Sequence, residues 1–169
     1  MNRFQTCLPL ILAHEGGYVD DVHDNGGATN LGITQATLAA YRDHPVTKAD
    51  VRALTVPMVA PIYEANYWRA SGADKMPDGL DYALFDFAVN SGPGRAKTYL
   101  QLAAGVTADG AIGPATLAAV FKIGAVEMIK RLTARRLKYL QTLADYSHFG
   151  PGWWRRVNEV QAKALEMAV

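Results

Sequence analysis

Within its first turns of chain this sequence sets an apolar stripe at helical spacing, ends it in a carboxylate, and follows it with a double glycine. Phe4, Leu8, Ile11 and Glu15 recur at intervals of four, three and four, which places them on one face of a helix. The first three are core material; the fourth is an acid. Gly16 and Gly17 then stop the helix, and a turn-rich stretch over residues 18–34 carries Asp20, Asp21, Asp24 and Thr29. A carboxyl at the wet edge of a core, near the negative end of a helix dipole, is disfavoured in its charged form. The pattern therefore predicts a glutamate that keeps its proton to higher pH than a surface one, as a general acid working near neutrality requires. Taken alone, the stripe also fits a surface glutamate in a last helical turn. The residues that follow decide for the acid.

The 169 residues suffice for one domain, or two small subdomains around a cleft, with a real core. Half are hydrophobic and a fifth charged, the balance of a soluble globular protein. Residues 1–14 carry only Arg3 ahead of an interrupted apolar run, so neither a signal peptide nor a membrane span is expected, and the chain reads as cytoplasmic when made. The single cysteine, Cys7, excludes an internal disulfide and a cysteine-cluster zinc site, and its place beside the stripe predicts a buried, inert thiol. Charge is unevenly spread. Residues 1–121 hold eight Lys/Arg against twelve Asp/Glu, and residues 122–169 hold nine against four. A basic C-terminal part suits docking on an anionic polymer, or simply a solvated helix face.

Helices dominate the rest. Gly26-Gly27, between Tyr18-Val19 and Leu31-Gly32-Ile33, predicts a short hairpin or compact loop. Thr34 is placed to cap a helix through Tyr41, and Thr47 with Asp50 has the spacing of a capping box. Thr55 and Pro57 open a helix that carries Tyr63, Tyr67 and Trp68, with Pro61 bending its beginning. Leu80, Leu84 and Phe87 mark another, stopped by Gly92-Pro93-Gly94, and Ala96 to Ala104 form the next. Gly110, Gly113 and Pro114 make a turn, and helices run from Pro114, from Ala125 to Asp145, and from about Trp153 onward. The expected fold class is mostly α with a small β feature after the first helix.

Splitting a glycosidic bond needs a protonated carboxyl on the leaving oxygen, and usually a second group that positions water or stabilises positive charge. Glu15 suits the first role. Asp24 and Thr29 lie on a loop able to return toward the helix end, and Asp20 and Asp21 are closer alternatives. The same acidic loop also fits Asx-turn capping. A calcium loop is disfavoured, because the acids miss EF-hand positions and no Glu closes the run.

The segments Glu15-Gly16-Gly17-Tyr18-Val19-Asp20-Asp21 and Gly26-Gly27-Ala28-Thr29-Asn30-Leu31-Gly32-Ile33-Thr34 resemble the signature of glycoside hydrolase family 108. These are bacterial and phage muramidases of the lysozyme superfamily, also described as secretion activators. The resemblance puts Glu15 on the catalytic glutamate. Phage-type lysozymes are similar too: this chain shares their eight residues between Glu15 and Asp24, with one residue fewer before Thr29. A second block, Phe85-Asp86-Phe87-Ala88-Val89-Asn90-Ser91-Gly92-Pro93-Gly94-Arg95-Ala96, resembles the family's second-lobe motif. Asn90 there either reaches into a cleft or caps its helix, and Tyr67 and Trp68 either stack on sugars or fill core.

The last third resembles the peptidoglycan-binding region that accompanies these enzymes. Asp109-Gly110-Ala111-Ile112-Gly113-Pro114-Ala115-Thr116 matches its turn, and Arg135-Arg136-Leu137-Lys138-Tyr139-Leu140 and Gly152-Trp153-Trp154-Arg155-Arg156-Val157 its later blocks. The resemblance implies a lysozyme-like, two-lobed fold with a substrate cleft between the lobes. Residues 1–95 form the catalytic region and 96–169 the peptidoglycan-binding region, packed with the first. It also implies hydrolysis of the β-1,4 bond between N-acetylmuramic acid and N-acetylglucosamine with Glu15 as the acid; Asp24 and Thr29 are the expected further catalytic groups, and Asn90, Tyr67 and Trp68 the candidate substrate contacts. No metal or other cofactor is expected, and no nucleic acid or membrane insertion. The partner is peptidoglycan, reached by a monomer after release through a holin or an exporter. Lytic transglycosylation of the same bond, or a non-catalytic wall-binding accessory role in secretion, are the alternatives.

Overall fold

The computed structural model describes residues 2–20 and 27–169, so Asp21, Asp24 and Gly26 lie outside the described residues. Among the described residues the chain is mostly helical with one two-stranded sheet after the first helix, the lysozyme-like class expected. It divides into two compact units, Met1–Ala65 and Asn66–Val169.

In the first unit, α1 (Arg3–Leu12) starts at Asn2, whose side chain accepts the Phe4 N–H at 3.1 Å. Phe4, Cys7, Leu8 and Ile11 are buried, as their spacing requires. The α-helix stops earlier than the double glycine. The N–H of His14 donates to Ile11 O at 3.0 Å and that of Glu15 to Leu12 O at 3.2 Å, so a tightened turn carries the acid.

Beyond it the chain reverses twice. Val19 and Thr29 exchange two 2.8 Å backbone bonds, and β1 (Thr29–Asn30) then pairs antiparallel with β2 (Ile33–Thr34). A tight hairpin turn lies at Leu31-Gly32, with φ of 50° and 72° at its two residues; of the expected Gly26-Gly27 turn, Gly26 lies outside the described residues. Two left-handed residues make a type I′ turn, whose twist matches that of paired strands. Leucine at the first position hides the turn from sequence rules, since a side chain with φ above zero is disfavoured there.

Thr34 caps α2 (Gln35–Arg42), its Oγ1 accepting the Thr37 N–H at 3.1 Å. The Thr47–Asp50 capping box forms as expected at the start of α3 (Lys48–Arg52). Buried Asn30 donates to the carbonyls of Val51 and Arg52, at 3.1 Å each, satisfying the end of α3 and fixing the sheet to it. Next, α4 (Val56–Tyr63) has Pro57 in its first turn and Pro61 inside, and widens into a π-helical stretch, Glu64–Arg69.

The second unit is a helical bundle around α5 (Leu80–Ser91). Every residue from Leu80 to Ala88 is buried, the mark of a helix covered on all sides. Around it pack α6 (Pro93–Ala104), α8 (Ala125–Leu140) and α9 (Tyr146–Met167), while α7 (Pro114–Ile123) lies on α6 and α8. Gly79, at φ +82°, lets the start of α5 meet the end of α9; a Cβ there would sit 3.0 Å from the Cβ of Ala168. Two boundaries differ from expectation. α8 ends at Leu140, and α9 begins at Tyr146, running through Gly150-Pro151-Gly152. Phe149 and Trp153, four residues apart, stack at 5.8 Å across the proline and favour the helix. The compact units meet at 65/66, and α5 shares one core with α6, α8 and α9.

Candidate active site

Glu15 is half-buried, and its side chain lies on the hairpin turn. A Cβ on Gly32 would come within 3.0 Å of Glu15 Oε2 and 3.2 Å of its Cγ, and would overlap the Tyr63 hydroxyl. Residue 32 therefore has two reasons to be glycine: its left-handed backbone and the absence of room. Tyr63, 1% exposed, donates its hydroxyl hydrogen to Leu31 O at 2.9 Å. Glu15, the Leu31-Gly32 turn and Tyr63 thus form one constellation inside the first unit. Tyr63 fills a structural place there that sequence reasoning missed.

The loop acids and Thr29 fare differently. Thr29, half-buried, stands one position before buried Asn30, so its side chain faces the other side of the sheet. Asp20 is held by Lys48 at 2.8 Å, and this hydrogen-bonded partner raises the Lys48 pKa above its ordinary value. Nearby, the Arg52 guanidinium lies 4.4 Å from the Tyr18 ring centre. Asp24 and Asp21 fall outside the described residues.

In the second unit, Trp68 is 5% exposed and meets Phe85 edge-on at 5.3 Å, so its ring is core. Tyr67 is half-buried and Asn90 exposed. Asn90 Oδ1 accepts from Arg136 Nη2 at 3.2 Å and from the Ser91 hydroxyl at 3.0 Å. Behind it sits a buried ion cluster. Asp86 receives Arg136 Nη1 at 2.6 Å, and Arg156 Nε and Nη2 at 3.0 and 2.8 Å. Burial by itself raises the Asp86 pKa; the Arg136 and Arg156 guanidiniums outweigh it and hold the carboxyl below its ordinary value. An acid inside the otherwise apolar run Phe85-Asp86-Phe87-Ala88 demands a cation, and that was its legible signal.

The Asp-Gly-x-x-Gly-Pro-x-Thr segment is a structural turn. Buried Gln101 donates to Asp109 Oδ1 at 2.7 Å and to Ala111 O at 3.0 Å, and accepts the Gly110 N–H at 2.8 Å. Among the described residues no helix is long and apolar enough to cross a membrane, and no group of His, Cys, Asp or Glu gathers in a metal-holding arrangement.

Two family models match the chain. The model described as Glycosyl hydrolase 108 matches residues 8–92, and the one described as Predicted Peptidoglycan domain matches residues 95–158. Among solved structures, that of Brucella abortus SagA is similar, at 47% identity and a TM-score of 0.88. The match covers 98% of this chain and 95% of that one. No curated protein matches.

Proposed function

Since the chain belongs to the glycosyl hydrolase 108 family and is a peptidoglycan-related glycoside hydrolase, we propose that it is a muramidase with Glu15 as its general acid. The bond cleaved is the β-1,4 linkage between N-acetylmuramic acid and N-acetylglucosamine. The observation that carries this reading is the seating of Glu15 on the Leu31-Gly32 turn, beside Tyr63. A general acid must be held within hydrogen-bond reach of one substrate oxygen, and a carboxyl braced by a tight hairpin meets that demand better than a freely rotating one.

In the proposed step, the Glu15 carboxyl gives its proton to the glycosidic oxygen as the C1–O bond breaks and an oxocarbenium-like transition state develops. Asp24 or Thr29 then positions the water, or stabilises the charge, on the opposite side of the sugar. The Lys48 pair makes Asp20 a weaker candidate. Asn90 and Tyr67 contact the sugars in this scheme, while Trp68 serves packing.

Product analysis tests the choice of bond. Digested sacculi should yield fragments with reducing N-acetylmuramic acid ends. Reducing N-acetylglucosamine ends would mean the neighbouring bond is cut, and 1,6-anhydromuramic ends would mean transglycosylation; either result overturns the assignment.

A further inference from the structure

Arg131, Arg135 and Lys138 recur at helical spacing along α8 and so share one face of it. They line an open groove of about 460 Å³ together with Leu102 of α6. A second hollow of about 250 Å³ shares Leu102, Arg135 and Lys138 and extends to Tyr99 and Tyr139. No carboxylate lines either one. Arg131 is neutralised by Glu127 at 2.7 Å, but Arg135 and Lys138 are exposed and make no ion pair among the described residues. Arg136, the next residue in the chain, is buried on Asp86. The helix thus compensates its inward cation and leaves the outward ones open. Beside them the floor is apolar: Leu102 is 37% exposed, and the Tyr139 ring lies under the Arg95 guanidinium at 4.6 Å.

Two uncompensated cations over an apolar floor call for a ligand with carboxylates and small apolar groups close together. In intact peptidoglycan the glycan strand offers little of this, because the lactyl carboxyl of each muramic acid is tied up in an amide. The stem peptide offers both, alternating alanine methyls with free carboxylates. We propose that the α6–α8 groove binds the peptidoglycan stem peptide, its carboxylates on Arg135 and Lys138 and its methyls on Leu102. The inference rests on peptidoglycan being the substrate, and is independent of which residue is the general acid.

The test is sedimentation of the full chain with purified sacculi, on ice, before appreciable digestion. Intact sacculi are compared with sacculi whose stem peptides an amidase has removed. The double variant Arg135→Gln/Lys138→Gln should bind intact sacculi roughly three- to tenfold more weakly, the scale expected from losing two exposed charge pairs. Leu102→Asp should weaken it comparably. The parent should bind stripped sacculi no better than the double variant binds intact ones. All these residues are exposed, so thermal unfolding and turnover of a short peptide-free oligosaccharide should not change. Equal binding of variant and parent to intact sacculi overturns the proposal. So does undiminished binding of the parent to stripped strands, whose freed lactyl carboxylates would then mark a general polyanion site. A Glu15→Gln variant that still digests sacculi would remove Glu15 as the general acid and leave this binding comparison standing.

Discussion

The Tyr63 hydroxyl donates to the carbonyl of Leu31 at 2.9 Å, and so clamps the residue that precedes the glycine on which Glu15 rests. Leu31 sits at φ +50°, where a leucine does not stay without support. Tyr63→Phe keeps the ring and removes the clamp. It should cost about 1 kcal/mol in denaturant unfolding, the usual worth of one hydrogen bond, and slow sacculus hydrolysis several-fold. Unchanged hydrolysis in a destabilised variant would separate the turn from the acid.

Gly32→Ala attacks the same place more severely. The added methyl meets Tyr63 and Glu15 at once, at a backbone φ of +72°. A loss of about 1–3 kcal/mol is expected from the strained backbone, with activity falling further than stability because the acid itself is displaced. Equilibrium unfolding and initial rates on one preparation give both numbers.

The buried cluster makes stability depend on acid. The Asp86 carboxyl titrates below its ordinary value in the folded chain, burial opposing and the two guanidiniums prevailing. Its contribution is therefore complete above the unfolded value, about pH 4, and is lost as pH falls through the folded one. Asp86→Asn should remove this part of the acid limb and cost about 3–5 kcal/mol at neutral pH, by leaving Arg136 buried beside an uncharged partner. Urea unfolding at a series of pH values checks both.

Much of this was legible in the sequence, for reasons that differ by residue. The apolar part of the α1 stripe, Phe4 to Ile11, and the Thr34 and Thr47 caps are local patterns, decided within four residues, and they form as read, although the α-helix ends at Leu12, short of Glu15. The Leu31-Gly32 turn was not legible, because Leu31 reaches its left-handed conformation through Tyr63, 32 residues away. The continuation of α9 through Pro151 depends likewise on side-chain stacking that propensity ignores. Arg156, counted in the basic C-terminal part, is drawn inward by Asp86, 70 residues earlier. Of the candidate site, Glu15 was marked by its own neighbours. Trp68 sat equally well on a stripe read as sugar platform or core, and only its contact with Phe85 decides for core.

If Asp24 is the second catalytic group, Asp24→Ala should cost far more activity than Asp20→Ala. Asp20 already holds Lys48 at 2.8 Å, so its removal should act mainly on the loop. Matched rates for the two variants on the same sacculi decide it. A milder Asp24→Ala would transfer the role to Thr29, which Thr29→Val then tests directly.

In the proposed mechanism Glu15 donates the proton, and Glu15→Gln isolates that step, since the amide keeps the side-chain shape and loses the acid. The measurement is the rate of muropeptide release from purified sacculi, on preparations with matched circular dichroism and thermal unfolding. A fall of about 10²-fold or more is predicted, the scale of a lost general acid. Release within a few-fold of the parent, from an equally folded variant, would contradict it.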